Sequence, residues 1–459
     1  MTLLATFITA GIIAGLFYLD REKHPRTSWA LWIPVMWLLI VSSRPVSMWL
    51  HINREVTLAD QYTEGSPLDA AYYGILIVAA GLVLNRRAAQ VKQFLRVNLP
   101  VILFFAYCVA SVAWSDDPTI AAKRCVKAVG DVLMVLVVLT DPEPDLAIRR
   151  MFARVGFVLL PMSILFIKYY PSMGTAYNPT DQVMMYFGVT TFKNLLGVLC
   201  MFSGLGALWS LIRAYQDRDL EYRSRHMIAQ GAIVAMAVWL IVKADSMTSL
   251  SCFGLAGAVM VASAVPRIER SRGAVFGFVC GAVGFSLFAL FVSTGSGLLH
   301  SIGRNSTLTG RTQIWAAVLA QHTNPLIGTG YESFWMGNRM QSVWDLSQVG
   351  IEEAHNGYLE MYLNLGWLGI ALLGLLIVTG YRNAMTLFGK DPHAARLRLA
   401  FFTAGLIYSL TEAGFRMMSP TWIGFLLSVV AIPMLVPAVE REMPTPWKSR
   451  VKSEMRILR

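Results

Sequence analysis

Long apolar runs dominate this chain and restrict it to a small set of folds. Five of them cover residues 2–19, 68–84, 228–242, 273–292 and 358–379, close to the roughly 20 residues that a helix needs to cross a bilayer. Only 15% of the residues are charged, whereas 55% are hydrophobic. Lipid offers no partner to unpaired backbone groups, and segments this continuous satisfy them as helices. The sequence therefore predicts an all-α, polytopic integral membrane protein.

Shorter or more broken apolar stretches accompany these runs. Counting them, the sequence predicts about 12–13 transmembrane helices, with thirteen favoured by the charge pattern described below. The shorter candidates are residues 28–41, 99–114, 121–139, 151–167, 189–212, 250–265, 397–410 and 420–437.

Basic residues cluster in every second loop and in the C-terminal tail. The positive-inside rule places such loops in the cytoplasm. With thirteen spans, the C-terminus is then cytoplasmic, while the N-terminus and the loops at 43–67, 168–188 and 293–356 lie outside. This topology and attraction to anionic lipid explain most of the net charge of +11, so nucleic acid is not an expected partner. The basic tail could also dock an acidic partner protein.

These patterns divide the chain into four parts. Residues 1–292 form an N-terminal transmembrane bundle, and residues 293–356 form one large outer loop. Residues 357–440 form the C-terminal transmembrane helices, and residues 441–459 form a basic cytoplasmic tail. The outer loop is the longest polar segment of a chain that is otherwise mostly membrane-embedded, so it is the expected place for chemistry.

Several cations stand at the outer ends of predicted spans, against the topological bias. Lys123, Arg124 and Lys127 open the fifth span at three- and four-residue spacing, which predicts a shared cationic face. Lys193 and Arg416 stand at similar places further along the chain. Such a set would suit a phosphate or diphosphate. The alternative for the first three is snorkelling to lipid phosphate, and for Arg416 it is an ion pair with Glu412, four residues earlier.

The outer loop holds two further candidates, Arg311 and His355. A histidine with a pKa of roughly 6.5 can take up a proton near neutral pH, and His355 lies at the predicted membrane boundary. His322 is the second candidate, and Asn356 and Glu360 follow His355 closely. The histidines lack metal-ligand spacing, so no metal and no cofactor are expected.

Taken together, these residues resemble a known family. The pattern G-R-T-x-x-W starts at Gly310, P-L-x-G-x-G starts at Pro325, and H-N-x-x-L-E starts at His355. This set resembles the O-antigen ligase and polymerase superfamily, most closely its exopolysaccharide-production polymerases. Shorter matches are Glu64–Asp69, Trp114-Ser115 and Lys193-Asn194. The phenylalanine at position 192 departs from the family pattern, in which histidine often precedes the Lys-Asn pair.

The resemblance implies a metal-independent, inverting glycosyltransferase of the bacterial inner membrane. Its donor would be an oligosaccharide on undecaprenyl diphosphate, and transfer would take place in the periplasm. By position in the motifs, His355 would be the base on the acceptor hydroxyl. Arg311 and the outer cations, which are Lys123, Arg124, Lys127, Lys193 and Arg416, would hold the diphosphate. Chain-length regulators and export proteins are the further partners that this biology implies.

Two other functions remain open from the sequence. Polymerases pass the glycan to another lipid-linked repeat, whereas ligases pass it to lipid A–core, and the motifs do not separate them. A transporter or flippase for a lipid-linked glycan would also need cations near a diphosphate. Transporters tend to show internal repeats and midplane charges, neither of which is evident here.

Overall fold

The fold is known from a computed structural model. The structure describes residues 1–21, 27–51, 65–177, 182–218, 222–295, 307–347 and 351–432. The predicted basic tail, residues 441–459, lies outside the described residues. So does Glu64 of the motif set.

Helices account for most of the described chain, and strands for very little of it, which confirms the all-α prediction. A two-stranded antiparallel sheet pairs β1 (Thr175–Tyr177) with β2 (Met184–Tyr186). Short 3₁₀ turns cover Trp29–Leu31 and Ser111–Trp114. The helices are α1 (Thr2–Leu19), α2 (Trp32–Val41), α3 (Val46–Trp49), α4 (Pro67–Arg86), α5 (Ala88–Val97), α6 (Leu99–Ala110), α7 (Pro118–Leu139), α8 (Pro144–Tyr169), α9 (Pro171–Gly174), α10 (Lys193–Gln216), α11 (Arg223–Ala244), α12 (Met247–Ser263), α13 (Pro266–Glu269), α14 (Arg272–Gly295), α15 (Thr307–Leu319), α16 (Gly337–Ser347), α17 (Gly357–Phe388), α18 (Pro392–Tyr408) and α19 (Pro420–Val429).

Many of these helices can cross a membrane, which confirms a polytopic membrane protein. Among the described residues, 7 helices are long and apolar enough, or up to 8 if the pair Ala88–Val97 and Leu99–Trp114, bent by 91°, forms one span. Each predicted apolar segment overlaps a helix of the structure. The total of thirteen crossings stays a prediction, because several of the overlapping helices are short.

Two long helices form the centre of the bundle. In α8 and α10, 72% and 78% of the most apolar window is buried inside the protein, compared with 11% in α1 and 17% in α4 and α14. Helices α1, α4 and α14 therefore present most of their apolar surface outwards, where lipid would cover it. The centre instead packs apolar side chains from several helices, as in the ring contacts among Phe152, Phe202 and Phe401.

The segment before α17 is a small helical layer rather than an open loop. Helices α15 and α16 pack on a core of their own, separate from the core of the bundle. Its buried members include Ile314, Val318, Phe334, Trp335 and Val343. The predicted limits of the outer loop, 293–356, and of the flanking bundles, 1–292 and 357–440, stay predictions.

A break in helix α17 fixes this layer to the bundle. At Gly366 the backbone has φ 64° and ψ −164°, a conformation that glycine adopts at little cost. The turn at residues 324–330 enters the break, where the N–H of Trp367 donates to the carbonyl of Pro325 at 2.9 Å. A Cβ at Gly366 would lie 2.4 Å from the carbonyl oxygen of Leu326. The motif that starts at Pro325 therefore interlocks with the break in α17 through backbone contacts.

Candidate functional site

One end of the bundle gathers charged side chains from four parts of the chain. Arg311 lies in the first turns of α15, Glu332 follows the interlocking turn, and Glu353 and His355 directly precede α17. Glu412 and Arg416 lie in the turn between α18 and α19. These six residues are called the site cluster below. It lies at the end of the bundle where α10 begins, because Nδ2 of Asn194 donates to Glu412 at 3.1 Å.

Arg311 and His355 meet through a shared carboxylate. Nη2 of Arg311 lies 2.8 Å from Oε1 of Glu412, and Nδ1 of His355 lies 3.1 Å from Oε2 of the same side chain. Nδ1 is also 2.9 Å from Oε1 of Glu353. The Glu412 side chain is only 4% exposed, whereas those of Arg311 and His355 are 20% and 27% exposed. A buried acid thus links a cation and an imidazole that both reach the surface.

Arg416 forms the other half of the site cluster. Its Nη2 and Nε lie 3.0 and 3.2 Å from Oε2 of Glu332, and its Nη1 lies 3.7 Å from Glu353. Arg124 donates from Nη1 to the backbone carbonyl of Glu332. The predicted ion pair between Glu412 and Arg416 is wrong as the main account of these residues, since each has a close ionic partner elsewhere. The turn that holds both residues is not helical, so the four-residue spacing does not bring them face to face.

Backbone strain accompanies the site cluster. Glu332 has φ 53° and His355 has φ 49°. Both values lie in the left-handed region, which residues other than glycine rarely adopt. Met418, two residues after Arg416, has φ 55°. Its N–H donates to the buried carboxylate of Asp131 at 2.8 Å. Such strain persists where the surroundings over-determine the conformation, commonly at functional sites.

The two carboxylates strongly change the basicity of His355. Burial acts to lower the pKa of the imidazole, but the hydrogen bonds and charges of Glu353 and Glu412 outweigh it and raise the pKa to about 10. For Glu353, burial acts to raise the pKa, and His355, Arg416 and Arg311 outweigh it, so that the pKa is lowered. With both carboxylates beside it, His355 is therefore an imidazolium at neutral pH.

Glu360 and Asn356 support the site from behind. The Glu360 carboxylate is 3% exposed and accepts from Nε1 of Trp335 at 3.0 Å and from the backbone N–H of Ala354. The Asn356 side chain caps α17 by accepting from the N–H groups of Tyr358 and Leu359. Both secondary candidates thus fix the backbone on either side of His355, and neither contacts it through its side chain in the described contacts.

The other predicted residues are divided between the site and its surroundings. Arg124 is 5% exposed and reaches the site cluster, whereas Lys123 is exposed and Lys127 is half-buried. Lys123 is about 100° around the helix from Arg124 but only four residues from Lys127, so the predicted common cationic face stays a prediction. Lys193 is half-buried and adjoins Asn194.

His322 lies away from Arg311. It is exposed and follows α15, whereas Arg311 lies near the start of that helix. The eight residue steps from Arg311 to Leu319 alone span about 12 Å along the helix, at 1.5 Å per step. His355, rather than His322, is thus the histidine that the structure brings to the cations.

Three side chains of the site cluster are spaced closely enough to bridge a metal ion. Glu353, His355 and Glu412 each offer a ligand atom within 4.8 Å of the others. The guanidinium of Arg311 already lies 2.8 Å from Glu412, so a bound metal would sit beside a fixed positive charge. The metal-free site expected from the sequence stays a prediction.

Sequence reasoning missed the acids that organise the cations. Glu332 and Glu353 were not predicted as site residues, and Glu412 was considered only as a partner of Arg416. Glu412 is 101 residues from Arg311 and 57 from His355, so no local spacing rule links them. The available signal was topological, since all three acids lie in segments predicted to face the same side of the membrane.

Comparison with known proteins gives two findings. A family model described as O-Antigen ligase matches residues 231–374, a range that includes Arg311 and His355. The resemblance read from the loop motifs is confirmed. The exopolysaccharide production protein ExoQ of Rhizobium meliloti (strain 1021) is 22% identical over 393 residues, which cover 82% of this chain and 85% of that protein.

These findings and the membrane helices support a multi-pass protein of the bacterial inner membrane. They also support polysaccharide polymerisation or ligation as the general class of function. Glu412 and Arg416 lie outside the matched range of the family model, so their roles are argued from the geometry alone.

Proposed function

We propose that this protein is a glycosyltransferase that polymerises exopolysaccharide repeat units. It would transfer a glycan from undecaprenyl diphosphate to a sugar hydroxyl of the acceptor on the periplasmic side of the inner membrane. The observation that carries the proposal is the joining of Arg311 to His355 through Glu412, at 2.8 and 3.1 Å. A cation for the leaving group and a proton acceptor for the nucleophile then lie side by side.

The arginines would stabilise the departing diphosphate. As the glycosidic bond breaks, negative charge collects on the diphosphate oxygen, and fixed cations placed there lower the barrier. Arg311 and Arg416 suit this role because their side chains are 20% and 19% exposed, while Arg124, Lys127 and Lys193 add positive charge nearby. Lys123, whose side chain is exposed, would contribute least.

His355 would act as the base on the acceptor. The acceptor oxygen bonds to the anomeric carbon as the bond from that carbon to the diphosphate oxygen breaks, with inversion. The diphosphate keeps the electron pair, and the hydroxyl proton passes to Nε2 of His355. The carboxylates of Glu353 and Glu412 hold Nδ1, which leaves Nε2 to meet the substrate. Because these carboxylates raise the pKa to about 10, only the small neutral fraction is active at neutral pH, but that fraction is a strong base.

No metal is needed in this scheme. The charge that a divalent cation would supply is provided by Arg311 and Arg416, both already paired with acids of the site cluster.

The membrane orientation that fits the proposal has the site cluster and the N-terminus in the periplasm and the C-terminus in the cytoplasm. A reporter active only in the periplasm should be active when inserted after Gly337 and inactive when fused at the C-terminus. The reverse pattern would reject the orientation.

Ligation to lipid A–core is the second candidate, and the matching O-Antigen ligase model favours it. The length of surface polysaccharide in a deletion strain separates the two. Polymerase loss should leave single repeats, whereas ligase loss should leave polymer of normal length that is missing from lipid A–core. Unchanged surface polysaccharide in both respects would reject both functions.

A further inference from the structure

Glu412 is the internal partner of Arg311, the cation proposed above to bind the donor diphosphate. Its Oε1 accepts from Arg311 at 2.8 Å and from Nδ2 of Asn194 at 3.1 Å, and its Oε2 lies 3.1 Å from Nδ1 of His355. Carboxylate and phosphate oxygens present similar acceptors to a guanidinium. A donor diphosphate and Glu412 therefore compete for the same cation.

We propose that Glu412 is an internal counter-ion that donor diphosphate displaces from Arg311, and that this exchange leaves the carboxylate with His355 and Asn194 as its partners. The proposal rests on the proposed function, since it presumes a lipid diphosphate donor. Before binding, Glu412 neutralises Arg311. After binding, the diphosphate neutralises Arg311, and the carboxylate of Glu412 holds and stabilises the imidazole of His355.

The burial of Glu412 explains why such an exchange is favourable. The Glu412 side chain is 4% exposed, and a buried carboxylate without a partner is costly. His355 and Asn194 remain as partners once Arg311 turns to the diphosphate, so the acid is never left alone. The donor therefore has to displace one ion pair, and no charge is left isolated.

The exchange links donor binding to the base. His355 is held at Nδ1 by two acids, but Glu412 is the one that also contacts Arg311 in the described contacts. Arrival of the diphosphate would strengthen the hold of Glu412 on Nδ1 and fix Nε2 towards the acceptor. Glu412 is thus a positioning residue, acting through His355 and Arg311.

Three substitutions separate the two tasks of Glu412. Glu412→Gln keeps the shape but removes the charge that competes for Arg311. Diphosphate should then bind about fivefold more tightly, the effect of losing roughly 1 kcal/mol of ion pairing. At alkaline pH, where His355 is largely neutral in both proteins, kcat should fall at least about tenfold, because Nδ1 loses a positioning carboxylate and the imidazole is a weaker base. Glu412→Asp keeps the charge on a shorter side chain, so kcat should fall without tighter binding. The matched control is Asp116→Asn, which removes an equal charge from an ion pair with Arg339 outside the site cluster, and should change neither quantity.

Binding is measured on the purified full-length protein in detergent, with farnesyl diphosphate as the titrated probe and Arg311→Ala as the reference for a lost anchor. The expected order of affinity is Glu412→Gln above wild type, and wild type above Arg311→Ala. If wild type binds and Arg311→Ala does not, but Glu412→Gln binds no more tightly than wild type, the exchange is wrong and the donor site stands. If wild type does not bind the probe above the Arg311→Ala level, the diphosphate site fails and the exchange with it. Tighter binding by Asp116→Asn as well would mean a general surface-charge effect and would also overturn the proposal.

Discussion

The two ends of the helical bundle both bury charged side chains, but they do so differently. At the site end, Arg311, Arg416 and His355 keep 20%, 19% and 27% of their side-chain surface exposed. At the opposite end, the side chain of Arg396 is 1% exposed. The ion pair of Arg396 therefore buries its cation, although its acid, Glu269, is 31% exposed, whereas these three cations of the site cluster reach the surface.

The contacts of Arg396 show that this buried cation has a structural role. Its guanidinium lies 2.9 Å from Glu269 and donates to the side chain of Gln216 at 2.9 Å and to the carbonyl of Ser263 at 3.2 Å. The last two lie at the ends of α10 and α12. This arginine satisfies helix ends and joins loops, so its bonding capacity is used within the fold.

At the site end, the side chains of Arg311 and Arg416 stay partly accessible to a substrate, at 20% and 19% exposure. These arginines face acids on one side and the surface on the other, so an anion can approach without unfolding the bundle. Burial and pairing alone therefore do not mark a functional charge in this protein. The useful distinction is whether part of the cation stays accessible after its internal partners are counted.

Replacement of Arg311 should give the largest loss at the site end. Arg311→Ala removes a cation that stabilises the leaving diphosphate, and polymer formation should fall at least about 100-fold, as when a single charge-stabilising donor is removed. The amount of protein in the membrane should stay near that of wild type. Polymer yield and immunoblots of the same membranes test this, and unchanged yield would remove Arg311 from the site.

Replacement of Arg396 should affect the fold rather than the reaction. Arg396→Ala leaves Glu269 without its cation and leaves Gln216 and the carbonyl of Ser263 without their donor. The expected loss in stability is about 2 kcal/mol, because an unsatisfied buried acceptor costs roughly 1–3 kcal/mol. The purified variant should melt at a lower temperature, with activity per folded molecule near wild type. A variant that is fully stable but inactive would contradict the comparison between the two ends.

The pH dependence of the rate should report the environment of His355. A base must be neutral to act, and Glu353 and Glu412 raise the pKa of His355 to about 10, while Arg311 and Arg416 face these acids. The rate of the wild type should therefore rise steadily between about pH 6 and pH 9. Glu353→Gln removes one of the two carboxylates, lowers the pKa of the histidine and should move the rise to lower pH. A rate that is flat in this range would mean that His355 serves as a cation instead.

The smallest effect is expected at Lys123. This side chain is exposed, unlike the buried Arg124 beside it, and surface substitutions usually change energies by less than about 0.5 kcal/mol. Lys123→Ala should therefore change the rate by about twofold or less. Arg124→Ala, which breaks the contact with the backbone of Glu332, is the informative neighbour. Equal loss in both variants would support the shared cationic face that the spacing predicted.

The sequence was most informative where the physics is local. Bilayer thickness determines the length of apolar runs, so each run could be read without knowing its neighbours, and all of them coincide with helices. Asp117 is a similar case, because an acidic residue directly before a proline is typical of a helix start, and its side chain accepts from the N–H of Ile120. The predicted loop candidates Arg311 and His355 also lie together, because one segment carries both.

The acids of the site could not be found in this way. Glu412 joins Arg311 to His355 only because α18 and α19 return to the same end of the bundle, and that return depends on tertiary packing. The break at Gly366 is a second case, since its need for glycine comes from the carbonyl of Leu326 about forty residues earlier. Contacts between distant segments are set by the assembled fold, and a single sequence carries little direct record of them.

The role of His355 is the most direct test of the whole account. Purified wild type and His355→Gln, at matched amounts, are supplied with lipid-linked repeat units, and polymer is measured over time. Glutamine keeps hydrogen-bonding capacity but cannot take up the proton, so the rate should fall by about 10²–10⁴-fold, the usual contribution of a general base. Polymerisation by His355→Gln at the wild-type rate would contradict the account and place the base on another residue.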